Sequence, residues 1–218
     1  MPRLARKLSS NTGPTDEKMD ALNGQSGHLH LLLGVKRSGG GTVLQGPGVL
    51  NYSLVLRATE GTPLATINGA NQFIMQRNAE ALTKLLSAER GTRSSDSKVE
   101  VQGHTDLAIG GLKFSGNAQR RKRTHLLFHG AILLNLDLGL LEQVLPMPTL
   151  QPDYRCGRSH KDFLTQLGVP AESVKQALRK AWSATDAASL DSLLSEWRTS
   201  AKRLVAEKYS RADWNFRV

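Results

Sequence analysis

The chain has a single cysteine among its 218 residues and no long apolar run. One cysteine excludes an internal disulfide framework and any CxxC metal or redox pair, a usage typical of reducing compartments. The longest apolar stretches, such as Leu31–Leu33 and Ala131–Leu134, fall far short of the roughly 18 residues that indicate a membrane span. We therefore expect a cytoplasmic protein with no membrane partner.

Acidic residues are also scarce relative to basic ones. The 29 lysines and arginines outnumber the 19 acids, which gives a formal net charge of +10. A surface of this sign attracts anions such as nucleotides, acidic proteins or nucleic acid, and charge alone does not choose among them. The length and the 39% hydrophobic content fit one substantial core.

A hydrophobic period is missing from residues 1–27, which are polar and rich in Ser, Asn, Gly and Asp. Such a composition predicts a poorly ordered segment. The segment carries Arg3, Arg6 and Lys7 but no apolar region for a signal peptide, so export is not expected and a basic organelle-targeting segment stays the alternative. Residues 28–218 are predicted to form a single domain whose C-terminal part is helical.

Strands and helices are interspersed without regular βαβ alternation. A helical period with Pro63 before it and Gly91 after it predicts one long amphipathic helix over Leu64–Glu89. Ser159, with Asp162 three positions later, resembles a helix-start capping box. Strand-like runs occur at His28–Val35, Val43–Leu44, Leu50–Leu56, Val99–Val101 and His129–Asp137. This pattern predicts an α+β fold in which helices flank a mixed β-sheet core.

A glycine-rich loop, RSGGGT, begins at Arg37 and contains Gly39, Gly40 and Gly41. Adjacent glycines leave no Cβ to obstruct a ligand, and their exposed N–H groups can point at phosphate oxygens. Arg37 can add a charge-assisted hydrogen bond to the same phosphate. The loop has no GxxxxGKS/T lysine and leads into strand-like residues, so a phosphate site at a helix N-terminus is not expected. A flexible turn is the alternative interpretation.

A second candidate site is a lysine that follows the Gly110-Gly111 pair, which predicts a tight hairpin. The predicted cross-strand pairs are Ile109–Leu112, Ala108–Lys113, Leu107–Phe114 and Asp106–Ser115. The pleat then places one face in the core, with Leu107, Ile109, Leu112 and Phe114, and leaves Asp106, Ala108, Lys113 and Ser115 on the other. An ammonium group beside a carboxylate and a hydroxyl suits binding of a carboxylate or phosphate. A solvated hairpin face is the alternative.

Three segments, taken in order, carry a family resemblance: RSGGGTVLQGPGVLNYSLVL, DLAIGGLKFSGNAQRRKR and FHGAILLNLDL. Together they resemble the core of the lipoate-protein ligase and octanoyltransferase family, within the biotin/lipoate ligase catalytic-domain superfamily. The resemblance covers residues 35–145 and implies a biotin/lipoate ligase catalytic-domain-like fold. Similarity of fold alone does not establish the reaction.

The resemblance implies attachment of a lipoyl or octanoyl group to a lysine of an acyl-carrying enzyme domain through an acyl-adenylate. ATP, Mg²⁺ and lipoate or octanoate are then the implied cofactors and substrates. Lys113 matches the catalytic lysine of the family's KFSGSA motif, which contacts the acyl carboxylate and the phosphate. Asp106 beside it is a speculative metal participant, and no other metal ligand is predicted. The adenylate and acyl group are expected to contact Arg37, Gly39, Gly40, Gly41, Thr42, Val43, Leu44 and Gln45, together with Lys113.

The implied protein partners are acidic lipoyl-acceptor domains of 2-oxoacid dehydrogenases or the glycine cleavage H protein. The basic run Arg120–Arg123 follows the lysine motif and could guide their docking, with a solvated basic loop as the alternative. Nucleic acid is not expected as a partner, although a catalytically impaired basic module that binds RNA stays a competing hypothesis.

The sequence departs from the family pattern in several places. Elements that precede the glycine loop in the family are short here, so we expect a chain shortened at its N-terminus. An accessory domain after the core is not evident, which favours transfer from a preformed adenylate over a full ligase cycle. Gln45 stands where the family often has a histidine. Sister octanoyltransferases use a cysteine nucleophile, and Cys156, between Arg155 and Arg158, is either such a nucleophile or an unreactive loop thiol.

Overall fold

The structure, a computed structural model, describes residues 32–34, 43–91, 97–184, 186 and 191–215. Seven strands of these residues lie in two antiparallel sheets. The strands are β1 (Leu32–Gly34), β2 (Val43–Gln45), β3 (Val49–Arg57), β4 (Glu100–Gln102), β5 (Asp106–Ile109), β6 (Leu112–Arg121) and β7 (His125–Leu133). Strand β1 pairs with β2, and the larger sheet has the order β3-β7-β6-β5-β4.

Helices separate and follow these strands. They are α1 (Ile67–Arg90), α2 (Leu138–Val144), α3 (His160–Phe163), α4 (Ala171–Ala181), α5 (Asp191–Leu204) and α6 (Ala212–Asn215). Short 3-10 turns lie at Pro63–Ala65 and Asp153–Arg155. The chain divides into two compact units, of which one, residues 13–183, contains both sheets and helices α1 to α4. The other includes residues 184–218, with α5, a π-helical turn at Val205–Tyr209 and α6 in its described part.

The long helix α1 begins where the sequence supplies a cap. Thr66 Oγ1 accepts a hydrogen bond of 3.0 Å from a backbone N–H of the first turn, and Pro63 lies in the 3-10 turn just before the helix. Gly91 ends the helix in a left-handed conformation, with φ of 62°, which glycine adopts without a Cβ clash. The predicted helix is confirmed, with its start at Ile67 instead of Leu64. In the described ranges, no helix is both long and apolar enough to cross a lipid bilayer.

One face of the larger sheet, which we call the inner face, packs against α1 and α4. In β7, Leu126, Phe128 and Ile132 point into this core and are almost fully buried. Other large members of the core are Ile74, Met75, Leu82, Leu86, Leu107, Phe114, Leu167 and Val174. Burial of a side chain of this size contributes about 1.5–3 kcal/mol relative to exposure, so this face supplies most of the driving force for folding.

The opposite, outer face consists of the alternate residues of the same strands. In β7 these are His125, Leu127, His129 and Ala131, all partly or well exposed. A small second core covers one end of the outer face, around Val49 and Leu133, and contains Leu44, Leu136, Leu141 and Val144. Strand β2 and helix α2 therefore cover that end of the sheet.

A β-bulge in β6 changes the register of the lysine hairpin. The observed pairs are Ile109–Leu112, Ala108–Lys113, Leu107–Ser115 and Asp106–Gly116. Phe114 is the extra residue, and both Phe114 and Ser115 are buried, with 0% and 2% exposure. The predicted pairs Leu107–Phe114 and Asp106–Ser115 are therefore wrong. Ser115 therefore lies on the opposite face from Lys113, and Gly116 is the next residue on the face of Lys113.

The predicted strand at His129–Asp137 is also shifted. Strand β7 runs from His125 to Leu133, and Asp137 instead caps α2. Its Oδ1 atom accepts hydrogen bonds of 2.8 and 3.1 Å from two backbone N–H groups in the first turn of the helix. An aspartate at this position satisfies donors that a helix leaves unpaired, so the strand ends before it.

The α+β fold class is confirmed, because helices flank a five-stranded sheet. Each strand pair described above is antiparallel, and a parallel bridge joins Lys113 to Leu164 outside those pairs. Ser159 caps α3 as predicted, and its hydroxyl donates to Asp162 Oδ2 at 2.8 Å. The proposed division between residues 1–27 and a single domain over 28–218 stays a prediction.

Candidate functional site

Lys113 lies on the outer face of β6 and forms an ion pair with Asp106 of β5. Lys113 Nζ lies 2.8 Å from Asp106 Oδ1, and the two side chains are 25% and 15% exposed. Gly116 provides the space for this pair, because a Cβ added there would lie 3.2 Å from both Cε and Nζ of Lys113. The bulge at Phe114 creates the arrangement, since it makes a glycine the next outer residue after the lysine.

Tyr154 is the third member of this cluster, and its hydroxyl donates to Asp106 Oδ2 at 2.8 Å. Each carboxylate oxygen of Asp106 therefore has a donor. Burial, reinforced by the negative charge of Asp106, holds the pKa of Tyr154 well above its usual range. The hydroxyl consequently keeps its proton and donates. Tyr154 could not be predicted from the sequence, because no motif links it to a strand 48 residues earlier in the chain.

The turn that carries Tyr154 is fastened to the lysine hairpin by Arg158. Arg158 Nη2 donates to the carbonyl of Gly111 at 3.2 Å and to the carbonyl of Tyr154 at 2.7 Å. The Tyr154 ring packs on Phe163 of α3, with ring centroids 5.1 Å apart. After α3 the chain lies alongside β6, where a backbone N–H donates to the carbonyl of Lys113 at 2.9 Å. These contacts fix Tyr154 relative to the hairpin.

Arg155 is a buried arginine of the same turn, with 4% exposure. Its guanidinium lies 4.7 Å from the ring centre of Phe163, and its Nε donates to the carbonyl of Arg158 at 2.9 Å. Burial lowers the pKa of Arg155, and the carboxylate of Glu142 opposes that shift. Its Nη2 also donates to Met147 Sδ at 3.3 Å, so Arg155 connects the turn that presents Tyr154 to the segment before it and to α3.

Gln45 reaches the outer face from β2. Its Oε1 atom accepts a hydrogen bond of 2.8 Å from Asn51 Nδ2 of β3. One row across four strands contains Asn51, Ala131, Gly116 and Asp106. Neighbouring strands lie about 4.8 Å apart, so the backbones of Asn51 and Gly116 are separated by roughly 10 Å. Lys113 and Gln45 therefore border a strip of the outer face, which we call the small-residue strip, whose floor is Ala131 and Gly116.

The predicted glycine loop lies only partly within the described residues. Arg37, Gly39, Gly40, Gly41 and Thr42 lie outside them. Val43, Leu44 and Gln45 form β2, and Leu44 is 4% exposed because it packs in the second core. Leu44 therefore anchors β2 over the end of the sheet, and this brings Gln45 to the strip. The ligand contacts assigned to Val43, Leu44 and Gln45 stay predictions.

A metal site is not evident in the part of the chain that the structure describes, where no group of three or more His, Cys, Asp or Glu side chains could hold an ion. Asp106 has one oxygen on Lys113 and the other on Tyr154, both at 2.8 Å. The positive charge of Lys113 at one of these oxygens disfavours a second cation there, so the ion pair counts against direct binding of Mg²⁺ by Asp106. The metal role of Asp106 stays a prediction.

Cys156 lies two residues after Tyr154, at the exposed end of the 3-10 turn. Its backbone is left-handed, with φ of 52°, and its Sγ atom donates to the carbonyl of Asp153 at 3.3 Å. The turn of the cysteine therefore packs against the lysine hairpin, a proximity that the sequence alone did not indicate. The thiol itself bonds within its own turn.

The basic run Arg120–Arg123 divides between two environments. Arg121 donates to backbone carbonyls of residues 64–66, at 2.7 Å for Ala65, and so fastens the approach to α1 to the sheet. The other three members of the run are exposed around the turn between β6 and β7. Arg121 therefore has a structural role, and the exposed three are the ones that could meet an acidic partner.

The antiparallel sheet with helices on its inner face and a lysine hairpin on its outer face is a fold shared with lipoate-protein ligases. The chain belongs to the lipoyl protein ligase A/B catalytic domain family, which its residues 29–183 match. The predicted family, fold and enzyme class are thereby confirmed, whereas the predicted shortening of the N-terminus stays a prediction.

Two relatives illustrate the range of the family. Lipoate-protein ligase A subunit 1 of Thermoplasma acidophilum is 25% identical over 191 residues, which are 85% of this chain and 71% of that protein. Octanoyltransferase LipM of Geobacillus kaustophilus is 28% identical over 204 residues, which are 84% of this chain and 73% of that protein. Both ligases and octanoyltransferases are therefore among the relatives of this chain.

Solved structures share the fold at lower identity. A T. acidophilum protein with bound lipoic acid has a TM-score of 0.63 and 23% identity, covering 93% of this chain and 76% of its own. A lipoate-protein ligase A bound with ATP has a TM-score of 0.61 and 23% identity, covering 92% and 76%. A bipartite T. acidophilum lipoate protein ligase, studied with its E2 lipoyl domain, has a TM-score of 0.62 and 22% identity, covering 84% and 70%.

Proposed function

We propose that this chain transfers a lipoyl or octanoyl group from its adenylate to a lysine of an acyl-carrying protein domain. The observation that carries the proposal is the Lys113 ammonium, which is 25% exposed on the outer face and borders the small-residue strip opposite Gln45. A fixed, part-exposed positive charge above a glycine suits an acyl-phosphate anhydride, because that group carries a carbonyl oxygen and a phosphate close together.

In the proposed step the amine of the acceptor lysine attacks the acyl carbonyl, a C–N bond forms, and the C–O bond to AMP breaks. The amine gives up a proton to solvent, and AMP leaves with the electron pair of the broken bond. Negative charge develops on the carbonyl oxygen and on the leaving phosphate, and the Lys113 ammonium can donate to both. A preorganised donor of this kind typically contributes about 10²- to 10³-fold in rate.

ATP, Mg²⁺ and free lipoate or octanoate would serve an earlier activation step, if this chain also makes the adenylate. The relatives solved with ATP and with lipoic acid support these substrates. Mg²⁺ would accompany ATP and shield its phosphates. The acceptor in our proposal is an acidic lipoyl domain or an H protein, which the net charge of +10 would attract. A cytoplasmic location is part of the same proposal.

A single-turnover assay tests the proposal: synthetic lipoyl-adenylate and an apo lipoyl domain are mixed with excess protein, and the lipoylated domain is followed by mass. We expect transfer by the wild type and a rate about 10²- to 10³-fold lower for Lys113→Ala. Lys175→Ala is the matched control, because Lys175 is an exposed lysine of α4 paired with Glu172 at 3.4 Å. Absence of transfer by the wild type, or equal rates for both variants, contradicts the proposal. Replacing the adenylate by ATP, Mg²⁺ and lipoate tests whether the chain is also a ligase.

A cysteine-dependent octanoyl transfer is the second candidate function. Two observations favour it: relatives named octanoyltransferase LipM, and the position of Cys156 on the turn that packs against the lysine hairpin. In that reaction Cys156 Sγ would attack the carbonyl of an octanoyl thioester, forming a thioester on the protein and releasing the thiol of the donor. The amine of the acceptor lysine would then attack this thioester, forming the amide and releasing the Cys156 thiol. Unchanged octanoyl transfer by Cys156→Ser would eliminate this candidate, and a trapped acyl-protein adduct lost in the same variant would establish it.

A further inference from the structure

We infer that Asp106 and Tyr154 act as a positioning pair that holds the Lys113 ammonium in place for acyl transfer. The inference rests on the proposed function and adds a residue, Tyr154, that lies outside the segments carrying the family resemblance. Tyr154 acts through Asp106, and Asp106 acts through Lys113, so both are positioning residues.

The Asp106 carboxylate cannot rotate freely. Asp106 Oδ1 lies 2.8 Å from Lys113 Nζ, and Asp106 Oδ2 accepts from the Tyr154 hydroxyl at 2.8 Å. Rotation of the carboxylate would break both contacts in a site where the aspartate side chain is only 15% exposed. The hydroxyl therefore determines which way the carboxylate faces the lysine.

Lys113 has a long side chain that adopts many rotamers when it is free. The Asp106 carboxylate on one side and the space above Gly116 on the other select one of them. Catalysis by a fixed charge requires this preorganisation, because a reacting group misplaced by about 1 Å can lose about 10²-fold in rate. Asp106 and Tyr154 therefore fix the position of Lys113, and Lys113 provides the positive charge.

Asp106 also competes with a ligand for the Lys113 ammonium, and this competition distinguishes a positioning role from a structural one. The acyl-adenylate is an anion, and Lys113 must share its donors between this ligand and the carboxylate. Removing the charge of Asp106 frees those donors, so ligand binding should hold or tighten while transfer slows. Damage to the fold would weaken binding and transfer together.

The ring and the hydroxyl of Tyr154 have separate partners. The ring packs on Phe163 at 5.1 Å between centroids, and the hydroxyl bonds only to Asp106 among the contacts described above. The variant Tyr154→Phe keeps the ring packing and deletes the donor. Tyr52→Phe is a matched control, because Tyr52 is also a partly buried tyrosine whose hydroxyl bonds to a polar side chain, Asn117, on the inner face of the sheet.

The experiment measures two quantities for wild type, Asp106→Asn, Tyr154→Phe and the double variant. These are the affinity for a nonhydrolysable lipoyl-adenylate analogue and the single-turnover rate of transfer to an apo lipoyl domain. We expect Asp106→Asn to transfer about 10²-fold more slowly and Tyr154→Phe about tenfold more slowly, with analogue affinity equal to or higher than that of the wild type. The control Tyr52→Phe should melt at a lower temperature and keep the wild-type rate per folded molecule.

The double variant sharpens the result. If Tyr154 acts only through Asp106, adding Tyr154→Phe to Asp106→Asn should change the rate less than about twofold. Wild-type transfer rates in both single variants, or equal losses of affinity and rate, would overturn the positioning role. Independent, multiplicative losses in the double variant would remove the link between Tyr154 and Asp106. If the wild type itself transfers no acyl group, the proposed function fails, and that outcome is distinct from all of these.

Discussion

Two glycines of the larger sheet make room for polar clusters on opposite faces. On the inner face, Gly130 lies between Tyr52 and Asn117 in one cross-strand row, and the Tyr52 hydroxyl donates over it to Asn117 Oδ1 at 2.6 Å. On the outer face, Gly116 lies beneath the Lys113 ammonium, which is paired with Asp106 at 2.8 Å. Each arrangement depends on a strand residue with no side chain.

The two clusters differ in charge and in exposure. The inner cluster is neutral, and its atoms bond to one another: Asn78 Nδ2 donates to the Tyr52 hydroxyl at 2.9 Å, and Trp182 Nε1 donates to Asn78 Oδ1 at 2.8 Å. The outer cluster contains a lysine that is 25% exposed, and in the proposed function this lysine exchanges its carboxylate for a ligand anion. A saturated neutral network stabilises the fold, whereas a charged and accessible one can do chemistry. We therefore expect inner changes to affect stability and outer changes to affect transfer.

The largest effect is expected for Gly130→Ala, which should break the inner cluster. The new Cβ would lie 1.7 Å from Asn117 Oδ1 and 3.0 Å from a ring carbon of Tyr52, so the amide must leave its position and lose its bond to the hydroxyl. We expect the free energy of unfolding to fall by roughly 2–4 kcal/mol, measured by urea denaturation. Stability within about 0.5 kcal/mol of the wild type would contradict the account.

The next effect is expected for Tyr52→Phe, which deletes one hydroxyl from the inner cluster. Asn78 Nδ2 and Asn117 Oδ1 then lose a partner in a buried site, which should cost about 1–3 kcal/mol of unfolding free energy. The same denaturation experiment measures it, and an unchanged midpoint would show that the hydroxyl bonds contribute nothing net. The transfer rate per folded molecule should stay at the wild-type value.

On the outer face, Gly116→Ala should give the reverse pattern. The Cβ would lie 3.2 Å from Lys113 Cε and Nζ, and the end of a flexible side chain can move by the few tenths of an ångström required. We expect unfolding free energy within about 0.5 kcal/mol of the wild type, and a transfer rate lower by about tenfold. Loss of stability with an unchanged transfer rate would contradict the expectation that changes on the outer face affect transfer and not stability.

The smallest effect is a pH dependence from two partly buried tyrosines, Tyr52 and Tyr154. Burial raises the pKa of Tyr52 and of Tyr154 above that of an unfolded chain, where tyrosine ionises near pH 10. The stability that the two tyrosines contribute is fully present below about pH 10. It is lost as the pH rises beyond that value, because the tyrosines of the unfolded state release their protons first. We expect about 1 kcal/mol less stability per pH unit above that point for each of the two tyrosines, and a smaller total loss in Tyr52→Phe, in urea titrations. Equal losses in both proteins would contradict it.

Helix α1 and the lysine hairpin could be predicted from local sequence. Pro63 and Gly91 bracket α1, and the Gly110-Gly111 pair specifies the hairpin that puts Lys113 and Asp106 on one face. These features depend on neighbours in the chain, where turn and cap chemistry act over a few residues. The family motifs identified the lysine directly.

The rest depends on contacts that local sequence does not encode. The bulge at Phe114 follows from burial of both Phe114 and Ser115, which requires the core to be present. Tyr154 reaches Asp106 from a turn 48 residues away, held by Arg158 on Gly111. The end of β7 could not be predicted from local sequence either, because it depends on Asp137 capping the next helix. The glycines of the RSGGGT loop lie outside the described residues, and their role stays a prediction.

The central claim is that Lys113 on the outer face meets the anionic part of an acyl-adenylate. Calorimetric titration with a nonhydrolysable lipoyl-adenylate analogue, comparing wild type, Lys113→Ala and Lys175→Ala, tests it most directly. The account predicts saturable binding by the wild type and by Lys175→Ala, and affinity at least about tenfold weaker for Lys113→Ala because a charged hydrogen bond is lost. Equal affinity for all three proteins, or binding by none, would contradict the claim.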